Sequence, residues 1–204
     1  MKTTAALLIL GLSVPAWPAT MAGLEREHPG FITQDVREAL RRIKQAVPQW
    51  TSVWMRVSSS LGGFYQIWEP SLRVNISGSR DSGGYFRFYG SVENESLSFN
   101  ASPYSSRDPS RGYSFWGGVS LSLTCSGSSC RAFGSVDGKS FSLHVNRFRG
   151  GGYSIWGQAG MSLSVISTGD DLTVNGSVDL EKFGKKSLAV LGAVLAVVNS
   201  IPAS

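Results

Sequence analysis

The sequence predicts an all-β domain: an antiparallel meander of about eight strands, a barrel or a sandwich, with helices at both ends. Three observations predict it. First, one pattern is written twice, as GYSFWGGVSLSL at 112–123 and GYSIWGQAGMSL at 152–163, followed by FGSVDG at 133–138 and NGSVDL at 175–180. A looser copy, GGFYQIW at 62–68 with YGSVEN at 89–94, precedes them, so GSV recurs after 44 and then 42 residues. A spacing of ~42 residues denotes three supersecondary units that pool their apolar faces in one core. Second, apolar residues alternate with Ser, Asn and Gly from Leu72 onward: Leu72, Val74, Ile76; Phe86, Phe88, Val92; Leu97, Phe99, Ala101; Val119, Leu121, Leu123; Phe141, Leu143, Val145; Met161, Leu163, Val165; Leu172, Val174, Val178. Third, turn-forming clusters fall between these runs at 77–84, 93–96, 126–129, 137–139, 149–152 and 168–171. A β-trefoil would also use three repeats, but the third copy is short and the hairpins are regular.

Residues 1–22 have the form of a signal peptide. Lys2 supplies the basic start, 5–14 the apolar run, and 15–22 an exit rich in Pro and small residues, with cleavage after Ala22 or Ala16. The run of about ten apolar residues is short of the ~20 that span a bilayer. A linker follows at 23–30. Within the N-terminal helical segment 31–61, Ile32, Val36, Leu40, Ile43 and Val47 trace one helical face, capped by Thr33 and stopped by Pro48. Trp50, Val53, Trp54, Val57 and Leu61 repeat that spacing and predict a second short helix, with a strand at 53–57 as the competing reading. The β-repeat domain occupies 62–181.

The tail, 182–204, is apolar on every side from 188 to 198. It predicts a helix packed under the sheet. A lipid-anchor signal is the open alternative, with Asn175, Gly176 and Ser177 as the cleavage site. Membrane attachment through the tail is left open on the same ground.

Charged residues make up only 16% of the 204, and the net charge of +5 falls to +4 once Lys2 is removed with the leader. No basic run exists, so a nucleic-acid partner is not expected. Cys125 and Cys130 enclose four residues and predict one disulfide in a secreted chain. Asn75, Asn94, Asn100 and Asn175 open Asn-x-Ser sequons, making them glycosylation candidates. Roughly a fifth of the chain is Ser or Thr, so part of that excess follows from serine-rich strands.

Catalysis finds little to build on. His28 lies in the linker, His144 falls on the polar parity of its strand, and Asp137, Asp170 and Asp171 suit turns. We therefore expect no enzyme, no catalytic residues, no cofactor and no metal site. The tryptophans are sharper. Tyr113 and Tyr153 share parity with the core, whereas Trp116 and Trp156 fall on the outward parity, with Trp68 as their counterpart in the first copy. A bulge at the neighbouring glycines would instead turn these indoles inward to close one end of the core.

The expectation is a secreted or cell-surface binding protein. Trp68, Trp116, Trp156, Tyr113 and Tyr153 would form its platform for glycan or lipid headgroups. A homo-oligomer is a candidate partner. The alternative is a pore-forming protein whose Ser/apolar hairpins, 119–136 and 161–178, insert on oligomerisation.

Overall fold

The computed structural model describes residues 38, 50–60, 62–105, 107–148, 152–157 and 161–201. The expected signal peptide, the linker with His28, and the first helix apart from Glu38 lie outside the described residues. The chain divides into two compact units at Val47 and Pro48. The second unit is all-β with two short helices.

Twelve strands follow in chain order: β1 (Trp50–Ser60), β2 (Phe64–Glu69), β3 (Val74–Arg80), β4 (Phe86–Val92), β5 (Glu95–Pro103), β6 (Gly112–Trp116), β7 (Val119–Ser126), β8 (Ser129–Val136), β9 (Lys139–Arg147), β10 (Tyr153–Gly157), β11 (Met161–Thr168) and β12 (Asp171–Asp179). Helices α1 (Leu180–Phe183) and α2 (Lys185–Ser200) end the described chain. Each strand pairs antiparallel with its neighbours in sequence, and β1 pairs with β12, so the sheet closes as a barrel. This sequential order decides between the barrel, the sandwich and the trefoil.

The expected count of eight strands is corrected to twelve. Four had gone unread. The aromatic signatures at 64–69, 112–116 and 153–157 are themselves short strands, β2, β6 and β10. The second helix of the expected helical pair is corrected, because residues 50–60 are β1. Val53, Met55 and Val57 point inward while Trp54 and Arg56 point outward, an alternation that only a strand satisfies.

The apolar parity of every strand faces the barrel interior, which α2 fills. Residues 187–198 of this helix are buried on all sides, as an all-apolar helix requires. The small residues Ala189, Gly192, Ala193 and Ala196 let it lie close to the wall. A β-carbon on Gly192 would stand 2.6 Å from Ile67 Cγ2 and 3.1 Å from Met55 Sδ.

The helix is fastened at both ends. At its C-terminus the Arg147 guanidinium donates to the carbonyls of Val198 (2.5 Å) and Ile201 (2.9 Å), a cation placed on the negative end of the dipole. At its N-terminus Lys185 pairs with Glu93 at 2.6 Å, and Lys186 with Glu95 at 3.0 Å and Asp137 at 3.4 Å. Helix α2 is thus the centre of the core. A cut at 175–177 would sever β12 and remove the helix.

The glycines of the three GSV triplets meet one obstacle. At Gly90, Gly134 and Gly176 an added β-carbon would lie 2.0 Å from the carbonyl oxygens of Asn75, Ser120 and Ser162 respectively. Such close approach of two backbones lets strands β4, β8 and β12 bend with the curvature of the wall. Cys125 and Cys130 face each other across β7 and β8 and are joined as a disulfide. That bond is consistent with an extracellular protein. Among the described residues no helix is long and apolar enough to cross a membrane.

Candidate functional site

The outer wall is built from the polar parity of the strands, chiefly Ser with Asn, Thr and Arg. Into it are set tryptophans at 54, 68, 116 and 156, each 44% exposed. The outward placement read for Trp68, Trp116 and Trp156 holds, and the glycines beside them do not turn the rings inward. Trp54 was missed, because its segment was assigned to a helix.

Tyr113 and Tyr153 lie elsewhere. Both are core residues, so their place in the expected surface platform is corrected. Tyr113 stands edge-on to Phe86. Tyr153 donates its hydroxyl to Asn199 Oδ1 at 2.6 Å and lies beneath the Arg147 guanidinium. Burial pushes both phenols above their ordinary value; Arg80 opposes this for Tyr113, and Arg147 for Tyr153. Their parity with the core had already pointed inward.

Nor do the three expected tryptophans make one platform. Trp68, Trp116 and Trp156 end or nearly end β2, β6 and β10, which are four strands apart in a ring of twelve. They therefore face directions about a third of the circumference apart. What the register does bring together is each indole and a polar side chain directly across the ladder. Trp54 lies opposite Asn175, Trp68 opposite Asn75 and Arg56, Trp116 opposite Asn100, and Trp156 opposite His144.

Three of the four sequon asparagines are these partners. Only Asn94 sits at an exposed turn, between β4 and β5.

The four settings differ in what already occupies them. Trp54 and Trp68 meet edge to face with centroids 5.5 Å apart. Arg56 beside them is held by Asp171 at 2.6 Å, and Asn75 Oδ1 accepts from Gln66 Nε2 at 2.5 Å. His144 stacks flat on Trp156, 5.6 Å away and within 6° of parallel, and lies across from Arg131. Among the described residues no carboxylate is bonded to this imidazole, which covers one face of the indole.

Trp116 instead opens on a groove of about 530 Å³ lined by Asp81, Tyr85, Phe86, Arg87 and Asn100. Asp81 Oδ1 accepts from the backbone N–H groups of Gly83 and Tyr85, both at 2.9 Å, which fixes the β3–β4 turn and holds the Tyr85 ring at the groove's edge. Sequence reasoning did not find Tyr85 or Arg87. They lie on the first, loosest copy and carry no repeated signature.

A second hollow, of about 260 Å³, lies at the N-terminus of α2 and includes the buried Ser187. Its lysines are held by Glu93, Glu95, Asp137 and the Glu181 carbonyl, so its charges are met within the protein. Among the described residues no group of three or more His, Cys, Asp or Glu side chains could hold a metal.

No known protein family, curated protein or solved structure matches the chain.

Proposed function

We propose that this is a non-enzymatic binding protein whose outer barrel wall contacts glycans through tryptophans paired with amide, guanidinium or imidazole groups. The observation that carries the reading is the pairing itself: Trp116 beside Asn100, on a groove edged by a second aromatic ring. An indole offers a flat apolar face to the C–H side of a sugar ring. An Asn amide beside it donates to and accepts from the ring hydroxyls. Concave, partly aromatic sites with a few placed polar groups are the usual form of small-ligand sites.

The repeat gives this reading its wider form. β2–β5, β6–β9, and β10–β12 completed by β1 make three four-strand units, each presenting one tryptophan near the end of its first strand. Three weak sites on different sides of one barrel suit a branched or many-chained glycan, whose binding gains by avidity. A flat bilayer does not meet all three sides together, which favours sugar over lipid headgroups. The pore-forming alternative draws no support from the packing. Hairpins 119–136 and 161–178 turn their apolar parity inward and leave only Phe133 and Ile166 as exposed large apolar residues, and insertion would need the inward faces outside.

The test is a glycan array run beside liposomes of neutral and anionic lipid, with wild type, Trp68→Ala, Trp116→Ala and Trp156→Ala. Glycan binding is expected to fall most in Trp116→Ala, with thermal stability held near wild type. Binding to liposomes alone, or glycan binding untouched by all three substitutions, would overturn the proposal.

A further inference from the structure

Resting on that reading, we infer that the Trp116 groove selects a negatively charged sugar, one bearing a carboxylate such as a uronic acid, with Arg87 as the group that recognises the charge. Arg87 points outward from β4, directly across the ladder from Ser79 on one side and Asn100 on the other. Asn100 in turn faces Trp116, so guanidinium, amide and indole form one row across β4, β5 and β6.

The two other outward-facing strand arginines are engaged: Arg56 is bound to Asp171, and Arg131 lies over the Phe133 ring. Beyond the backbone pairing of β4, the Arg87 side chain makes no ion pair, hydrogen bond or ring contact among the described residues. Asp81, the one acid lining the groove, is not in ion-pair contact with it and spends Oδ1 on two backbone N–H groups of its own turn.

An arginine left unpaired beside two half-exposed aromatic rings is a placed charge. Its planar fork of N–H donors matches both oxygens of a carboxylate, a fit that a lysine ammonium does not reproduce. Tyr85 and Trp116 supply ring surface on either side, and Asn100 supplies hydroxyl contacts between them. The ligand class follows from these groups: a hydroxylated ring with one carboxylate, seated with the carboxylate toward β4 and its apolar face on Trp116.

The experiment compares a β-linked glucose tetramer with the glucuronate-containing tetramer of the same linkage. Each is titrated against the full chain by Trp fluorescence and calorimetry at low and at 0.5 M salt. Wild type is expected to bind the uronate about tenfold more tightly at low salt, as charge-assisted hydrogen bonds at a partly exposed site allow, with the ratio shrinking as salt screens it. Arg87→Gln should bring the ratio of the two affinities to about one, Arg87→Lys should leave it between, and Trp116→Ala should remove both. Unchanged melting and circular dichroism confirm that each variant is folded.

A uronate-to-neutral ratio near one in wild type, or one that survives Arg87→Gln, would overturn the charge inference while the Trp116 site stands. Binding of both tetramers that Trp116→Ala leaves intact would overturn the site and the inference together.

Discussion

Replacing Gly192 by Ala tests whether α2 fills the barrel as described. The substitution adds one methyl at the middle of α2. In an exposed helix, Gly→Ala would be worth up to about 1 kcal/mol in favour of folding. Here the new carbon arrives 2.6 Å from Ile67 Cγ2 and 3.1 Å from Met55 Sδ, inside contact distance for both. Met55 can yield, being unbranched. Ile67 is fully buried and branched at Cβ, so its Cγ2 moves only if β2 moves. Overpacking of this kind costs roughly 1–3 kcal/mol, so at the middle of that range the clash outweighs the propensity gain by about 1 kcal/mol. For a domain of this size that is a fall in Tm of about 2–4 °C.

The decisive arm is a double-mutant cycle in urea with Ile67→Ala. Removing Cγ2 makes room for the new methyl, so the double mutant should be more stable than the sum of the two losses predicts, by about 1 kcal/mol or more. If Gly192→Ala raises stability and shows no coupling to Ile67, the helix does not lie against β2 and the account of the core fails.

Four further outcomes follow from the same geometry. Gly134→Ala should destabilise by several kcal/mol, more than Gly192→Ala, because the obstacle at 2.0 Å is the Ser120 carbonyl and backbone cannot swing aside; equilibrium unfolding measures it. Expressed in a glycosylating secretory host, the chain should carry sugar at Asn94, at its exposed turn, and none at Asn100, whose amide the proposed site needs free, as glycopeptide mass spectrometry would show. Cys125→Ser with Cys130→Ser should cost about 2 kcal/mol, given the short loop closed, and leave the barrel folded because β7 and β8 pair along their whole length. Stability against pH should hold up to about 10 and then fall: Tyr65, Tyr113 and Tyr153 are shifted upward chiefly by burial, so the unfolded chain ionises first and draws the equilibrium its way as pH rises. Tyr153→Phe should flatten that alkaline limb, although it also gives up the hydroxyl bond to Asn199.

How much of this was legible depends on what a period can carry. Strands β7, β9 and β11 announce themselves by alternation, and α2 by being apolar all round, because both signals are local. β1 was misread for a local reason too. Val53 and Val57 are four apart, a spacing that a helix face and a strand face both satisfy, and only Met55 between them favours the strand. β6 and β10 are five residues long, and their outward tryptophans hide the alternation.

The closure of β1 on β12 pairs residues more than a hundred positions apart, with no sequence mark on either. That closure also sets what the surface can do. A tryptophan's parity can be read from its neighbours in the chain, but its partner cannot. Asn100 comes to stand beside Trp116 only through the register of β5 on β6, and Arg87 only through that of β4 on β5. The sequence thus carries the rings in plain view, while the polar groups that would make them selective enter through strand pairing. A sequon covers Asn100, and the proposed site uses the same amide, across the ladder from an indole, as its contact for sugar brought from outside. Sugar attached at Asn100 would itself obstruct the groove, so an unmodified Asn100 is a condition the proposed site requires.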